Sequence, residues 1–345
     1  MAALPIVALV KSPLIGMLME DIADGLRPHA CTPVIYPSNE AFLGDPQAAA
    51  GTDVLVAAST LAVRRPLLER TPRLRAVLSC ITGTDGFDEA AATEFGIVVG
   101  NAPIPENAES LAEATIMLML ACTYNLRRSE ALLRAQAPRP PKVHARMLKG
   151  RTIGLIGYGQ ITRAMIARLQ GWGAVLQVAS ARAGLELPPG VRQIELEALM
   201  RSSDIVCVLT ALTPATRGLI DAASLRLMKR GAIFINTARG GLVDETALAE
   251  LAASGHLAMI ALDVFEKEPL PGDSPLRALP NAILTPHMVG HTEDIAAALP
   301  IASVENVRRV LAGEPPVYVR NPEVLPAWTR RWARAAATTD TVASA

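Results

Sequence analysis

The sequence predicts an α/β protein of two doubly wound domains, each with a parallel sheet covered by helices on both faces. Three observations lead to this prediction. Short apolar runs rich in Val, Ile and Leu alternate with amphipathic segments along the chain, which is typical of parallel sheets. The alternation is interrupted once, by a long helical stretch and a proline-rich segment, and then resumes. The 345 residues, 50% of them hydrophobic, suffice for two cores of ordinary size.

The first half of the chain contains five candidate strands, at 5–10, 32–37, 53–59, 75–80 and 96–101. A long helix is predicted from about residue 107 to residue 135, with Asn107 as its N-cap. The segment 136–151 is rich in proline and basic residues, which predicts a loop into a second domain.

The second half repeats the alternation with six candidate strands, at 152–157, 174–180, 204–210, 232–237, 257–264 and 282–287. Their number and spacing match a doubly wound dinucleotide-binding fold. After about residue 295 the pattern predicts one helix and then the extended segment 314–326. The last fifteen residues, 331–345, are small and polar and predict a disordered tail. The fold class is therefore α/β, with two Rossmann-like or flavodoxin-like parallel-sheet domains.

The composition argues against several classes of protein. The formal net charge is zero and the pI is about 7.0, which does not favour nucleic acid or an acidic membrane as a partner. The N-terminus resembles a first strand and not a signal peptide, and the longest helical apolar run, 114–124, is shorter than the roughly 20 residues that cross a bilayer. Four scattered cysteines form no C-x-x-C pair, which favours a reducing compartment and no metal site: Cys31, Cys80, Cys122 and Cys207. We therefore expect a soluble, cytoplasmic protein.

The glycine loop in the segment "GLIGYGQIT" follows the predicted strand "TIGLIG" and precedes the predicted helix "ITRAMIARLQGWG", where a phosphate-binding loop belongs. Gly157 would permit the tight turn and Gly159 the approach of a pyrophosphate to the backbone. Gln160 and Ile161 begin the helix whose N-terminus would face the anion. Thr162 replaces the third glycine, whose role is helix packing, so we expect the anion site to persist. A glycine turn without a ligand is the alternative.

The next predicted strand ends in "QVASARAG", where an NAD-binding fold would place an acid for the ribose 2′-hydroxyl. Ser180 and Arg182 stand there instead, and no carboxylate occurs before Glu186. A hydroxyl and a cation suit a 2′-phosphate, so the sequence favours NADP as cofactor and leaves NAD possible. The alternative is an arginine exposed on an ordinary loop.

Three further segments follow predicted strands and carry the groups that keto-acid chemistry needs: "INTARGGLVDETAL", "ALDVFEKEP" and "LTPHMVGHT". Arg239 can hold a carboxylate through two parallel hydrogen bonds. His287 can move a proton, and Glu268 can keep its imidazole protonated. Each residue alone has a structural alternative: an ion pair, a solvated loop or a histidine at a strand end. Together they predict reduction of a 2-keto acid with hydride from a nicotinamide.

With these motifs in this order, the sequence resembles the D-isomer-specific 2-hydroxyacid dehydrogenase family up to about residue 326. The segments "GTDGFDEAAATEFGIVVGNAP", "GLIGYGQI" and "TPATRGLI" match, as do the three segments above. The resemblance implies that Arg239 binds and orients the substrate, that His287 is the acid/base, and that Glu268 pairs with it. Cofactor contacts are implied for Thr237, Ala238 and Asp263, the last toward the nicotinamide carboxamide. Backbone contacts to the substrate carboxylate are implied for Ile81, Thr82 and Gly83.

The sequence departs from the family pattern at Thr162, at Ser180 with Arg182, and at Val289, where many members have glycine. The turn "ASAR" looks like the NADP-binding turn of the glyoxylate/hydroxypyruvate reductase branch. The segment "RLQGWGAVLQ" looks like phosphite dehydrogenase, but Thr82 stands where that branch has lysine.

The resemblance also implies an active site in a cleft between two domains. The substrate-binding domain would be discontinuous, 1–103 with 296–330, and the dinucleotide-binding domain would be 104–295. A homodimer would form through the cofactor domain and its long helix. The main hypothesis is an NADPH-preferring reductase that converts a small 2-keto acid, such as glyoxylate or hydroxypyruvate, into the D-2-hydroxy acid. The rival hypothesis is a nucleotide-sensing binding protein that keeps the fold without turnover.

Overall fold

The computed structural model describes residues 3–12, 16–141 and 145–340. The chain divides into two units: unit 1 is Met1–Asn107 with Thr292–Ala345, and unit 2 is Ala108–His291. Each unit is built around one largely or wholly parallel sheet. The predicted fold class, two α/β parallel-sheet domains, is therefore confirmed.

The strands, in chain order, are β1 (Ile6–Val10), β2 (Thr32–Tyr36), β3 (Val54–Ala57), β4 (Ala76–Ser79), β5 (Val98–Asn101), β6 (Thr152–Ile156), β7 (Val175–Ala179), β8 (Val191–Gln193), β9 (Ile205–Val208), β10 (Ile233–Asn236), β11 (Met259–Leu262), β12 (Ala282–Leu284) and β13 (Tyr318–Val319). The α-helices are α1 (Leu18–Leu26), α2 (Asn39–Leu43), α3 (Pro46–Gly51), α4 (Arg65–Leu68), α5 (Glu89–Glu94), α6 (Pro105–Thr123), α7 (Leu126–Arg134), α8 (Gln160–Leu169), α9 (Leu196–Ser202), α10 (Ala222–Arg226), α11 (Glu245–Ala253), α12 (Glu293–Leu311) and α13 (Leu325–Asp340). Short 3-10 helices lie at Gly240–Leu242, Pro275–Ala278 and Pro322–Val324.

The sheet of unit 1 has the strand order β13-β5-β4-β3-β1-β2. Strands β1 to β5 run parallel in the order 2-1-3-4-5, which is that of flavodoxin-like folds. Strand β13 pairs antiparallel with β5, with Tyr318 opposite Asn101. Strands β3, β4 and β5 are buried at every residue, because helices cover both faces of a parallel sheet.

The sheet of unit 2 is entirely parallel, in the order β12-β11-β10-β9-β6-β7-β8. Counted from β6 this is 7-6-5-4-1-2-3, the Rossmann order with one added strand. Val206 and Val208 belong to one buried cluster, and Ile205 and Cys207 to another, so alternate side chains of β9 fill cores on opposite faces. The order reverses between β6 and β9, and folds of this kind bind ligands outside the carboxyl ends of the strands at that point.

Every strand predicted from the sequence is present within its predicted segment. Strand β8 was missed, and β13 lies in the segment 314–326, which was predicted to be extended but was not counted as a strand. They are three and two residues long, and their side chains are exposed or half-buried, so they lack the apolar run that marks a parallel strand.

The helix predicted at 107–135 is in fact two helices, α6 and α7. The predicted N-cap is wrong: α6 begins at Pro105, which places Asn107 inside its first turn. Proline is favoured at the first helical position because its missing N–H needs no partner there. The helix breaks at Asn125, whose φ of +53° is left-handed, a conformation that asparagine tolerates better than most residues do.

The C-terminal segment also differs from the prediction. The sequence predicted disorder from residue 331, whereas α13 continues to Asp340. Trp328 is fully buried, and its indole N–H donates to the Arg75 carbonyl at 2.8 Å. The Arg75 guanidinium lies 4.9 Å from the centre of the Trp332 ring. Two tryptophans one turn apart thus anchor the helix, which a composition rule does not detect. Of the predicted tail, 341–345 lie outside the described residues, as do 142–144 of the predicted loop.

Three predictions about what the chain lacks concern the described ranges only. No helix within them is long and apolar enough to span a membrane, and no group of three metal-ligand side chains forms there. All four cysteines are buried and free. Burial raises the pKa of both Cys80 and Cys122 to about 12, so these thiols stay protonated.

Candidate active site

The glycine loop, the 180–182 turn and the predicted catalytic residues all belong to unit 2. Each group follows a strand of the seven-stranded sheet: the loop follows β6, the turn follows β7, and the catalytic segments follow β10, β11 and β12. Because the carboxyl ends of parallel strands share one edge, these residues lie along the same edge of the sheet.

The backbone structure requires glycine at one of the two glycine positions of the loop and not at the other. Gly157 has a φ of +103°, and a Cβ there would lie 2.9 Å from the backbone of Thr210, so only glycine fits. Gly159 has a φ of −103°, and no described atom would lie within 4 Å of its Cβ. The fold therefore explains Gly157 but not Gly159. As the N-cap of α8, Gly159 provides no side chain to cap the helix amides, so the first turn has no side-chain acceptor from its N-cap.

Thr162, in the third-glycine position, is fully buried. Its hydroxyl donates to the Gly157 carbonyl at 3.0 Å, which ties the first turn of α8 to the loop. Thr162 thus contributes no atom to the exposed side of the loop.

The turn after β7 is tied to the glycine loop. The Arg182 guanidinium donates to the carbonyl of Tyr158, and the Arg182 amide donates to the Ser180 hydroxyl at 3.2 Å. Gln193 of β8 donates to the carbonyls of Ser180 and Arg182 at 3.3 and 2.7 Å. The structure therefore brings Ser180 and Arg182 beside the loop. The contribution of Gln193 had no signal in the sequence.

The Arg239 turn is shaped by Asn236, the last residue of β10. The Asn236 side chain donates to the Arg239 carbonyl and accepts from the Ala238 amide, both at 3.0 Å. Arg239 is half-buried, and its Nη1 donates to the Ala238 carbonyl at 2.8 Å. A Cβ at Gly240 would lie 1.9 Å from the Phe265 carbonyl carbon. Glycine at 240 therefore lets the arginine turn abut the segment that carries Glu268.

Helix α6 supports the same turn through a buried pair of hydroxyls. Thr115 and Thr237 are almost completely buried, and their hydroxyl oxygens lie 2.9 Å apart. The Thr115 hydroxyl also lies 2.7 Å from the Leu111 carbonyl, to which it donates. Because a hydroxyl has one hydrogen, Thr237 is the donor of the pair. Sequence reasoning selected Thr237 and missed Thr115.

Asp263 organises the loop that carries His287. Its Oδ1 accepts from the Thr285 hydroxyl at 2.7 Å and from the amides of Met288 and Val289 at 3.0 and 3.2 Å. The Asp263 carbonyl accepts from the His287 amide at 2.7 Å. Burial raises the pKa of this carboxyl group, although its donors act in the opposite direction.

His287 and Glu268 form the hydrogen-bonded pair that the sequence predicted. His287 Nδ1 lies 2.7 Å from Glu268 Oε2, and Glu268 Oε1 accepts from the Phe265 amide at 3.0 Å. Burial raises the pKa of Glu268, but the hydrogen bonds from His287 and Phe265 and the charges of His287 and Arg239 outweigh burial and lower it. The carboxylate is thus ionised at neutral pH and can only accept, so Nδ1 is the donor. Nε2 is then the ring atom left to exchange a proton.

The backbone of His287 is held in an unusual conformation. Its φ of +54° is left-handed, which costs roughly 1–2 kcal/mol for a residue other than glycine. The Asp263 bonds on either side maintain it. His287 and Glu268 side chains remain 31% and 33% exposed, so a ligand can reach them. His291, four residues on, has a pKa lowered by burial and by the charge of His287.

The predicted substrate loop belongs to unit 1, directly after β4. Its carbonyls are all engaged: the carbonyl of Ile81 accepts from Ala102, that of Thr82 from Asn101 and that of Gly83 from the Ser79 hydroxyl, at 2.6–3.1 Å. Within the described residues, the amides of Thr82 and Gly83 find no acceptor. The loop thus presents donors and no free carbonyl.

The chain matches a known family model and several known proteins. The model is described as "D-isomer specific 2-hydroxyacid dehydrogenase, NAD binding domain" and matches residues 116–289. The chain is 36% identical over 271 residues to D-3-phosphoglycerate dehydrogenase of Methanocaldococcus jannaschii. The aligned region covers 76% of this chain and 50% of that protein. It therefore spans about half the length of that relative.

Two further similarities extend over most of both chains. The chain is 34% identical over 268 residues to glyoxylate reductase of Aeropyrum pernix. The aligned region covers 75% of this chain and 80% of that protein. A solved structure of a protein from Thermus thermophilus has a TM-score of 0.81 and 30% identity, and covers 91% of this chain and 99% of that one.

Proposed function

Since the chain belongs to the D-isomer-specific 2-hydroxyacid dehydrogenase family, we propose that it reduces a small 2-keto acid to the D-2-hydroxy acid and catalyses the reverse oxidation. The observation that carries this proposal is the 2.7 Å contact between His287 Nδ1 and Glu268 Oε2. It lies on the same sheet edge as Arg239 and the glycine loop. Glyoxylate and hydroxypyruvate are the substrates that we favour.

Each catalytic residue has one part in the proposed reaction. A bound nicotinamide supplies or takes the hydride. His287 Nε2 gives a proton to the carbonyl oxygen in reduction and takes it from the hydroxyl in oxidation. Arg239 holds the substrate carboxylate, and Glu268 fixes the ring so that Nε2 faces the reacting oxygen. We assign a second contact with the carboxylate to the Ile81–Gly83 loop, in which the amides of Thr82 and Gly83 find no acceptor within the described residues.

The glycine loop fits a dinucleotide. Its open face at Gly159 and the uncapped start of α8 suit a pyrophosphate, which the amides of Gln160 and Ile161 would bind. Among the described residues, Asp263 Oδ2 has one hydrogen bond, a long one of 3.3 Å from the Val289 amide. It retains capacity to accept from a carboxamide, while Thr237 and Ala238 would contact the cofactor through their backbone.

We propose that NADP is preferred over NAD. Arg182 is anchored beside the loop through Tyr158 and lies next to the Ser180 hydroxyl, so a cation and a donor converge near the expected ribose. No acidic residue stands between Ala179 and Glu186 to repel a 2′-phosphate.

We further propose a cytoplasmic homodimer. Large apolar side chains are exposed on α6, on α7 and between them, which favours a covered surface: Met117, Tyr124, Leu126 and Leu133 are 50–81% exposed. Buried thiols with raised pKa values fit a reducing compartment. Light scattering of the purified protein gives the mass in solution.

The test of function is a panel of short 2-keto acids assayed with NADH and with NADPH. We expect turnover of at least one keto acid and a loss of roughly 10²–10⁴-fold in kcat for His287→Ala, the usual contribution of a general acid. The matched control is His256→Ala, since that histidine bonds the Met228 carbonyl and belongs to no catalytic segment. Tight NADPH binding without turnover of any keto acid would favour the nucleotide-sensing protein, and oxidation of phosphite would favour the phosphite dehydrogenase class.

A further inference from the structure

A cavity of about 220 Å³, open to solvent, lies at the edge of the unit 2 sheet opposite the catalytic residues. Its wall is formed by the end of α6, by α7, by the segment before β6 and by the amino ends of β9, β10 and β11. None of the residues proposed above for catalysis or cofactor binding lines it. The cavity is therefore separate from the candidate active site.

Three arginines line this cavity: Arg128 of α7, and Arg146 and Arg151 of the segment before β6. Within the described residues, no carboxylate lies within the 4.0 Å of an ion pair from any of these guanidinium groups. Their side chains also donate to no described acceptor. Three cations thus line one small space, and none of them forms an ion pair with a described carboxylate.

The acid in the wall, Asp204, is already engaged by other groups. Its Oδ2 accepts from the Thr152 amide at 2.9 Å, and its Oδ1 accepts from Lys229 Nζ at 3.1 Å. Although burial raises the pKa of Asp204, the charges of Lys229 and Arg151 both lower it, so its carboxylate compensates Lys229 and part of the charge of Arg151. One carboxylate among four cations leaves the potential of the cavity positive.

The backbone of the wall is fixed by hydrogen bonds. The Arg146 amide donates to the Thr123 carbonyl at 2.9 Å, and the Gly231 amide donates to the His256 carbonyl at 2.7 Å. Gly231 has a φ of +81°, and its missing Cβ would lie 3.9 Å from an Arg146 nitrogen. These hydrogen bonds fix the backbone at Arg146 and at Gly231, on two sides of the cavity.

We propose that this cavity binds a small anion that carries a phosphate group. Guanidinium groups match phosphate oxygens through paired hydrogen bonds, and three of them can neutralise a dianion. The cavity is large enough for a phosphate group and is open to solvent. A bound phosphate would link α7 and the 146–151 segment to the amino ends of the central strands.

The experiment measures thermal unfolding of the full chain in increasing inorganic phosphate. Sodium chloride keeps the ionic strength constant, and saturating NADPH occupies the glycine loop so that phosphate bound there does not contribute. We expect the Tm to rise hyperbolically with phosphate, because a ligand that binds only the folded state stabilises it. Arg128→Gln and Arg146→Gln should each weaken the apparent phosphate affinity by about tenfold or more, the effect of losing one hydrogen bond to a charged group.

The matched control is Arg134→Gln, which removes an exposed arginine of α7 that does not line the cavity. Its phosphate response should equal that of the unmutated protein. The proposal is overturned if phosphate leaves the Tm of the unmutated protein unchanged. It is also overturned if all three variants respond alike, since the effect would then be general salt stabilisation. The readout requires no turnover, so it is independent of the proposed reaction.

Discussion

Replacing Glu268 by glutamine tests how the candidate active site controls its proton. Each carboxylate oxygen of Glu268 accepts one N–H: Oε1 from the Phe265 amide and Oε2 from His287 Nδ1. Glutamine has a single side-chain oxygen, so it can satisfy only one of these donors. The other donor then faces an NH₂ group, and one of the two contacts is lost.

The magnitude follows from the two possible orientations of the amide. If its oxygen stays with Phe265, its NH₂ group donates to His287 Nδ1. Nδ1 must then be unprotonated, so the ring is neutral and carries its one proton on Nε2. This arrangement disfavours the charged ring that reduction needs, and it prevents Nε2 from accepting a proton in oxidation. If its oxygen turns to His287, a charge-assisted bond becomes a neutral one and the Phe265 amide loses its acceptor. Either change costs roughly 1–3 kcal/mol, so we expect kcat for reduction to fall by roughly 5–150-fold.

The assay is the pH dependence of kcat/KM in both directions for the unmutated protein and Glu268→Gln. The lowered pKa of Glu268 keeps its carboxylate paired with His287 at neutral pH. The rate of reduction should therefore fall at acid pH as Glu268 becomes protonated, and the profile of the variant should lack this acid limb. The control is Glu266→Gln, which removes the same charge from an exposed side chain two residues away. Unchanged rates and profiles in Glu268→Gln, or equal shifts in both variants, would refute the reasoning.

The same substitution changes the dependence of stability on pH. The pKa of Glu268 is lowered in the folded protein from an ordinary value of 4.5. A lowered pKa means that the carboxylate stabilises the fold fully above the ordinary value and loses this contribution as the pH falls through the lowered one. Glu268→Gln should therefore flatten the acid side of a plot of Tm against pH, and an unchanged slope would contradict the pairing.

Three further substitutions test the cofactor site. Arg182→Asp should erase or reverse a preference for NADPH of roughly 10–150-fold in kcat/KM; equal use of both cofactors by the unmutated protein would contradict that assignment. Thr162→Gly should lower the Tm, because glycine in a helix costs about 1 kcal/mol and a hydrogen bond is lost. Its dinucleotide Kd should stay the same or tighten, and weaker binding measured by titration would be the contrary result. Thr115→Val leaves the buried Thr237 hydroxyl without an acceptor, so we expect a lower Tm and a higher KM for the dinucleotide; unchanged values of both would show that the pair is dispensable.

The sequence predicted the sheets of this protein better than its helix ends. Long apolar runs mark buried parallel strands because both faces of each strand must be covered. The break at Asn125 depends on one residue adopting a left-handed φ, which no apolar period reveals. The helix at 325–340 depends on two tryptophans whose partners lie far away in the sequence, at Arg75. Such contacts exist only after folding.

The candidate active site shows the same limit. Arg239, Glu268 and His287 could be selected because their chemistry is visible in the residue type and in their positions after strands. The groups that hold them in place could not. Asn236 shapes the arginine turn through two hydrogen bonds to backbone atoms, and Thr115 reaches the site from a helix that is more than a hundred residues away in the sequence. Asparagine and threonine with these roles look like any others in a sequence.

The fold requires glycine at position 157 but not at position 159. A lineage could therefore lose cofactor binding through substitution of Gly159 while it keeps its structure. A side chain at Gly157 would collide with the Thr210 backbone, whereas one at Gly159 meets open space. In a saturation library sorted for cellular abundance, position 157 should accept glycine alone and position 159 many residues. Sorted for catalysis, both positions should be restricted. Descendants that have become inactive scaffolds would then be recognisable by a conserved first glycine and a drifting second one.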